Sequence, residues 1–218
     1  MERLGCYFAI VKMFTPQEKT RYSRHFVMPD VGEKGQEKMK LAKVLIIGAG
    51  GLGCPVLQYL CAAGIGKIGI ADGDVVSESN LQRQIIFTPE DIGQNKARVT
   101  TDKLKKQNPF IQIVPYEYYI DEKNAVEIFR EYDIIVDGTD TFNARYLIND
   151  GCVMADKPFV AASVLQWEGQ LAVYNYKGGP TYRCLYPEAP LPEDSPSCAQ
   201  AGVLGVLPGV IGCLQANE

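Results

Sequence analysis

Histidine is nearly absent from this chain: 218 residues contain one, His25. Chemistry that moves protons through an imidazole has little to work with here. There is no basic excess either. Lys and Arg total 22 against 26 Asp and Glu, a net charge of −4, which argues against a general nucleic-acid binder. No apolar run reaches the length of a membrane-spanning helix. The apolar piece Cys6–Val11 is broken by Lys12 and is too short for a signal-peptide core, so a cytoplasmic location is expected, with Met13 as a possible second start. Seven scattered cysteines, an odd number, do not form a disulfide framework. Cys54, Cys61, Cys152 and Cys213 sit among apolar neighbours on expected helices, where cysteine acts as a small hydrophobe. Internal repeats are lacking as well.

What is present is a regular alternation. Residues 15–40 are polar and helical in flavour. Strands are expected at Lys43–Gly48, Lys67–Asp72, Ile111–Glu117, Asp133–Asp137 and Pro158–Ser163. Pro115 marks the third as an edge strand. Helices are expected at Leu52–Ala63, Asn95–Gln107, Glu122–Tyr132 and Thr141–Asp156. Strands separated by helices imply βαβ units, hence a Rossmann-like, doubly wound, mostly parallel α/β sheet. Gln170–Tyr176 alternates like an antiparallel strand. A Pro- and Gly-rich stretch at about 177–198 reads as a mobile crossover loop, and a helix is expected after Pro208. That helix is still running at Glu218, so the antiparallel C-terminal extension is expected to be truncated.

Between the first strand and first helix, Gly48, Gly50 and Gly53 fit G-x-G-x-x-G. Glycines allow a tight turn and close backbone approach to a phosphate, and the helix N-terminus supplies free N–H groups. Asp72 ends the next strand, where a carboxylate accepts from ribose hydroxyls. The blander readings are a glycine turn that only packs a helix on the sheet, and a carboxylate that only caps a strand. The motif alone leaves NAD and ATP open. No G-K-[ST] follows the glycines, so this is not a P-loop. Downstream, Arg83, Lys96 and Asp140 converge on the carboxyl ends of the strands. Two cations and a carboxylate suit a triphosphate with Mg²⁺ better than a hydride transfer. Taken singly, Arg83 and Lys96 could be solvated loop charges and Asp140 a helix N-cap.

Five segments, "RYSRHFVMPDVGEKGQEKM", "GAGGLGCPVLQYLCAAGIGKIGIADGDVVSESNLQRQ", "DIGQNKA", "DGTDTFNARYLIND" and "CAQAGVLGVLPGVIGCLQANE", together resemble the ThiF/MoeB/HesA adenylyltransferases over residues 17–218. Residues 1–16 then read as an N-terminal extension. The resemblance implies an ATP- and Mg²⁺-dependent nucleotidyltransferase. Such an enzyme adenylates the C-terminal glycine of a ubiquitin-fold sulfur carrier in molybdopterin, thiamine or tRNA-thiolation pathways, and a persulfide or rhodanese-type donor then delivers sulfur. It also implies site roles. Gly51 would approach the phosphates and Asp72 would hold the ribose. Ser79, Asn80, Arg83 and Lys96 would line the nucleotide site, the last two on the phosphates. Asp140 would hold Mg²⁺, with Thr141 beside it among the nucleotide contacts. Arg24 would reach into a partner subunit's site, which implies a homodimer, and Cys198 would carry sulfur. The family's structural zinc is doubtful here, because Thr181 replaces one ligand of the first Cys pair and leaves Cys184 as a vestige. No nucleic-acid or membrane partner is expected. The competing readings are an NAD(P)-dependent Rossmann oxidoreductase and a non-catalytic carrier-binding relative.

Overall fold

The computed structural model describes residues 13–190 and 202–218. They divide into two compact units, the first ending at Lys38. In the first unit, α1 (Pro16–Arg21) opens with a capping box. Glu18 N–H donates to Thr15 Oγ1 at 3.2 Å, and Thr15 N–H donates to Glu18 Oε2 at 2.8 Å. This pairing satisfies donors that a helix start leaves open. A short α2 (Ser23–Phe26) follows, then α3 (Gly32–Leu41), which runs across the boundary between the units. His25 Nδ1 lies 2.6 Å from Gln36 Oε1, so the single histidine is held by a neighbouring helix.

The second unit alternates strand and helix: β1 (Lys43–Ile47), α4 (Gly53–Ala63), β2 (Lys67–Ala71), α5 (Lys96–Gln107), β3 (Gln112–Tyr116), α6 (Ala125–Arg130), β4 (Ile134–Asp137), α7 (Phe142–Ala155), β5 (Phe159–Leu165) and β6 (Glu168–Tyr174). Then come the short α8 (Tyr182–Leu185) and, after the stretch outside the described residues, α9 (Val206–Asn217). The sheet order is β3-β2-β1-β4-β5-β6. All neighbours are parallel except β5 and β6, which pair antiparallel. β3 is an edge, as Pro115 requires. The order reverses between β1 and β4, which places a crevice outside their carboxyl ends.

Both faces of the sheet are covered. β1 shows why: its burial runs exposed, then four buried residues. Val44 and Ile46 pack with Val56, Leu57 and Leu104 on the α4/α5 side. Leu45 and Ile47 pack with Phe129, Ile148 and Phe159 on the α6/α7 side. Cys54, Cys61 and Cys152 are buried in these layers, but Cys213 is exposed on α9, so among apolar neighbours it does not act there as the buried small hydrophobe expected. Several element boundaries differ from expectation: α6 is shorter at both ends, and β6 starts at Glu168 and ends at Tyr174, two residues earlier than expected. α9 begins at Val206, ahead of Pro208, because proline is tolerated in a helix's first turn. Part of the Pro- and Gly-rich stretch is helical: Tyr182 of α8 is buried and meets the Tyr146 and Tyr174 rings at 5.2 and 5.6 Å. Among the described residues no helix is long and apolar enough to cross a membrane.

Asn108, fully buried beyond α5, donates from Nδ2 to the Cys61 carbonyl at 2.7 Å. It therefore ties the end of α4 to the end of α5. Asn108→Ala should remove this buried tie between the two helix ends and cost about 1 kcal/mol of stability, measured as a shift in the urea midpoint.

Candidate nucleotide site

The glycine loop is built by contact. Gly48 has φ +94°, in the left-handed region that favours glycine. A methyl group on it would lie 2.7 Å from the Gly138 carbonyl oxygen. Gly138 N–H in turn donates to the Ile47 carbonyl at 2.8 Å. The turn after β4 thus lies directly against the turn after β1. Gly53 has no room either, because a Cβ there would strike the Gly48 carbonyl oxygen. No side chain caps the start of α4. An uncapped helix N-terminus reached through glycines presents backbone N–H groups and a partial positive charge to an anion.

Asp72 is buried, 7% exposed, just past β2. Its Oδ2 accepts from Ala49 N–H at 2.8 Å and its Oδ1 from Asp74 N–H at 2.9 Å. Burial raises its carboxyl pKa, opposed by Lys96 and the two amides. The carboxylate therefore both braces the glycine loop and sits beside the crevice.

Lys96 opens α5 behind the N-cap Asn95. Its ammonium is buried and pairs with Asp74 Oδ2 at 2.9 Å. Asp74 also accepts from the Tyr119 hydroxyl. Partial burial pushes the Asp74 carboxyl up, but Tyr119 and Lys96 more than offset this and hold it below the usual range. The same bond pushes the Tyr119 phenol up to about 12. Asn95 Nδ2 fastens the segment by donating to the Asp72 and Asp74 carbonyls at 3.2 and 3.3 Å.

Arg83 lies against the glycine loop: a methyl on Gly51 would touch its Cγ at 3.4 Å and Pro208 of α9 at 3.2 Å. Its Nη1 donates to the Ser79 carbonyl at 3.1 Å. Ser79 is exposed, and Asn80 is turned to its own backbone, its Oδ1 accepting from Ser77 N–H at 3.1 Å. Thr141 is the N-cap of α7, its Oγ1 accepting from Ala144 N–H at 3.3 Å, so Asp140, one residue earlier, is not the cap. The Asp140 side chain is exposed, three residues past the end of β4.

The crevice thus gathers Gly48, Gly50, Gly51, Gly53, Asp72, Arg83 and Lys96, with Asp140 on the turn that abuts Gly48. Arg24 is exposed in the first unit. Cys198 lies outside the described residues. Cys184 is exposed, and hydrogen bonds from the Thr181 hydroxyl and amide hold its thiol below the usual range. Among the described residues no group of three His, Cys, Asp or Glu side chains could hold a metal. A single exposed carboxylate such as Asp140 does fit Mg²⁺, which takes one or two protein carboxylates and fills its remaining positions from phosphates and water. The sequence reading missed Asp74, Tyr119, Asp137 and Arg145. Asp74 repeats the Asp72 spacing by two residues, a signal that could have flagged it. Beside the crevice, an apolar cavity of about 710 Å³ lies between α4 and α9, where Tyr59, Val210 and Cys213 line it.

The family model for the ThiF family matches residues 22–218. The chain belongs to the ThiF family. It is 50% identical over 198 residues to the zebrafish (Danio rerio) "adenylyltransferase and sulfurtransferase MOCS3", covering 91% of this chain and 43% of that protein. It is 47% identical over 210 residues to a Thermus thermophilus "sulfur carrier protein adenylyltransferase", covering 94% of this chain and 78% of that one. Among solved structures, E. coli MccB with ATP aligns with TM-score 0.76 at 28% identity, over 90% of this chain and 62% of that one. MccB with MccA-N7isoASN gives 0.77 at 29%, over 91% and 62%. The chain therefore spans less than half of the zebrafish relative.

The geometry separates two glycines that the motif treats alike. Gly48→Ala should cost about 2 kcal/mol or more through backbone strain and the clash with Gly138. At Gly50 the nearest atom to an added methyl is Gln84 Nε2 at 3.7 Å. Gly50→Ala should therefore leave the thermal midpoint of the free protein almost unchanged. Equal losses for the two variants would contradict this reading of the turn.

Proposed function

We propose that this chain adenylates the C-terminal glycine of a ubiquitin-fold sulfur carrier with ATP, releasing pyrophosphate and preparing the carrier for sulfur transfer. The observation that carries the reading is the uncapped, glycine-lined start of α4, with buried Asp72 on one side and the Asp140 turn pressed against Gly48 on the other. The names of the relatives favour adenylation over the oxidoreductase alternative.

A carboxylate is a poor electrophile, and its anhydride with AMP provides a good leaving group. The attack brings an anion onto an already anionic α-phosphate, so cations held in place lower the barrier. The α4 N-terminus and Gly51 approach the phosphates, and Asp72 accepts from the ribose. Arg83 and Lys96 supply positive charge, with Asp74 and Tyr119 fixing the lysine. Asp140 would hold Mg²⁺, which when bound would supply positive charge to the phosphates. None of these roles asks a side chain to shuttle a proton, in keeping with one histidine. In the same proposal Cys198 carries sulfur from a persulfide or rhodanese-type donor, and the chain works in the cytoplasm.

Asp140→Ala should abolish carrier-dependent ATP–pyrophosphate exchange while leaving the thermal midpoint unchanged, a loss of several kcal/mol in transition-state stabilisation. Near-normal exchange in the folded variant would remove Asp140 from the chemistry.

The homodimer is part of the proposal, with Arg24 of one subunit completing the partner's site. Arg24→Ala and Asp140→Ala chains, each inactive alone, should regain part of the exchange activity when mixed, because one site per heterodimer is then whole. A mixture that stays inactive although subunits exchange would refute shared sites.

A further inference from the structure

Asp137 ends β4 fully buried, and Arg145, one turn into α7, is buried with it. They form an ion pair, Arg145 Nε to Asp137 Oδ2 at 3.2 Å. A buried pair costs so much desolvation that well-packed apolar residues often serve stability as well or better. The contacts of this pair lead elsewhere. Asp137 Oδ1 accepts from Thr139 N–H at 2.9 Å and from Thr139 Oγ1 at 2.6 Å. Arg145 Nη2 donates to the Ala162 carbonyl of β5 at 3.0 Å. The guanidinium also lies 5.8 Å from the centre of the Phe142 ring, the first residue of α7. Burial disfavours the charge on Arg145, but Asp137 and Tyr182 more than offset it.

The turn after β4 is thus fixed residue by residue. Gly138 N–H is bound to Ile47, Thr139 to Asp137, Thr141 caps α7, and Phe142 lies under Arg145. Between these fixed points Asp140 keeps its side chain exposed. We propose that the Asp137–Arg145 pair positions Asp140 for the Mg²⁺–ATP complex, with Arg145 and Asp137 acting through the turn rather than touching the nucleotide. This rests on the nucleotide reading above. Buried partners that orient a metal-binding carboxylate have effects of their own on metal affinity.

The test is calorimetric titration of ATP into the full chain, with Mg²⁺ present and with Mg²⁺ chelated. The variants are Arg145→Lys and Thr139→Val. A lysine keeps the charge but cannot reach both Asp137 and the Ala162 carbonyl. Thr139→Val removes one hydroxyl from the network at almost constant volume and guards against a folding defect in the first variant. Affinity for ATP without Mg²⁺, which depends on the glycine loop and Asp72, should stay at the wild-type level in both. The tightening produced by Mg²⁺ should fall about tenfold in Arg145→Lys and in the same direction, by less, in Thr139→Val. Undiminished tightening by Mg²⁺ in both variants would overturn the proposal and leave the pair a purely structural one. Equal loss of affinity with and without Mg²⁺ would overturn it too, as general damage to the crevice. A wild-type chain that binds no ATP in either condition would instead defeat the nucleotide reading itself, and this inference with it.

Discussion

The contact on which the rest depends is the approach of two backbones, Gly48 after β1 and Gly138 after β4. A methyl on Gly48 would sit 2.7 Å from the Gly138 carbonyl oxygen, and one on Gly138 would sit 2.9 Å from the Gly48 carbonyl oxygen. No other residue type fits either position without moving the other. This mutual exclusion of side chains lets the two loops at the reversal of strand order form the walls of one narrow crevice. Asp72 supports one wall through Ala49 N–H, and Asp137 supports the other through Thr139. Each wall is therefore braced by a buried carboxylate whose cost of burial is offset by a cation and by hydrogen bonds, two amides for Asp72 and the Thr139 amide and hydroxyl for Asp137.

The helices act on that crevice from outside. α9 places Pro208 against Gly51, and Gln215 Nε2 donates to the carbonyls of Asp137 and Val160 at 2.8 and 3.1 Å. One helix thus touches the glycine loop with its first turn, and the end of β4 and the start of β5 with its last. Lys96 is held with equal care: its ammonium faces Asp74, and Asp74 is in turn held by Tyr119. Charge at the crevice is arranged before any ligand arrives, which is how preorganised electrostatics works.

Much of this was legible in the sequence. The four consecutive apolar residues of β1 and the 3.6-residue pattern of the helices carry the fold, since burial on both sides of a parallel strand demands such runs. The glycine spacing and Asp72 carry the crevice, because the φ of Gly48 favours glycine and its contact with Gly138 leaves no room for a side chain. The rest depends on tertiary partners. Asp137 reads as the polar end of "IIVD", and nothing local says that its counter-ion is Arg145. Asp74 and Tyr119 lie 45 positions apart in the chain, beyond any local pattern. α8 escaped because its proline- and aromatic-rich setting reads as loop, while the buried ring of Tyr182 holds it in place from elsewhere in the fold.

β1 pairs with β2 on one side, Val44 meeting Ile68, and with β4 on the other, Val44 meeting Ile134. The two walls of the crevice are therefore separated along the chain by the whole α4–β2–α5–β3–α6 excursion and are joined by sheet hydrogen bonds, the glycine contact and α9, which touches Gly51 and the Asp137 carbonyl. A molecule gripped by both walls acts as a non-covalent staple across that excursion. By mass action it stabilises the fold in proportion to the logarithm of its concentration over its dissociation constant. Occupancy of the crevice and integrity of the central sheet are in this way a single equilibrium seen from two ends.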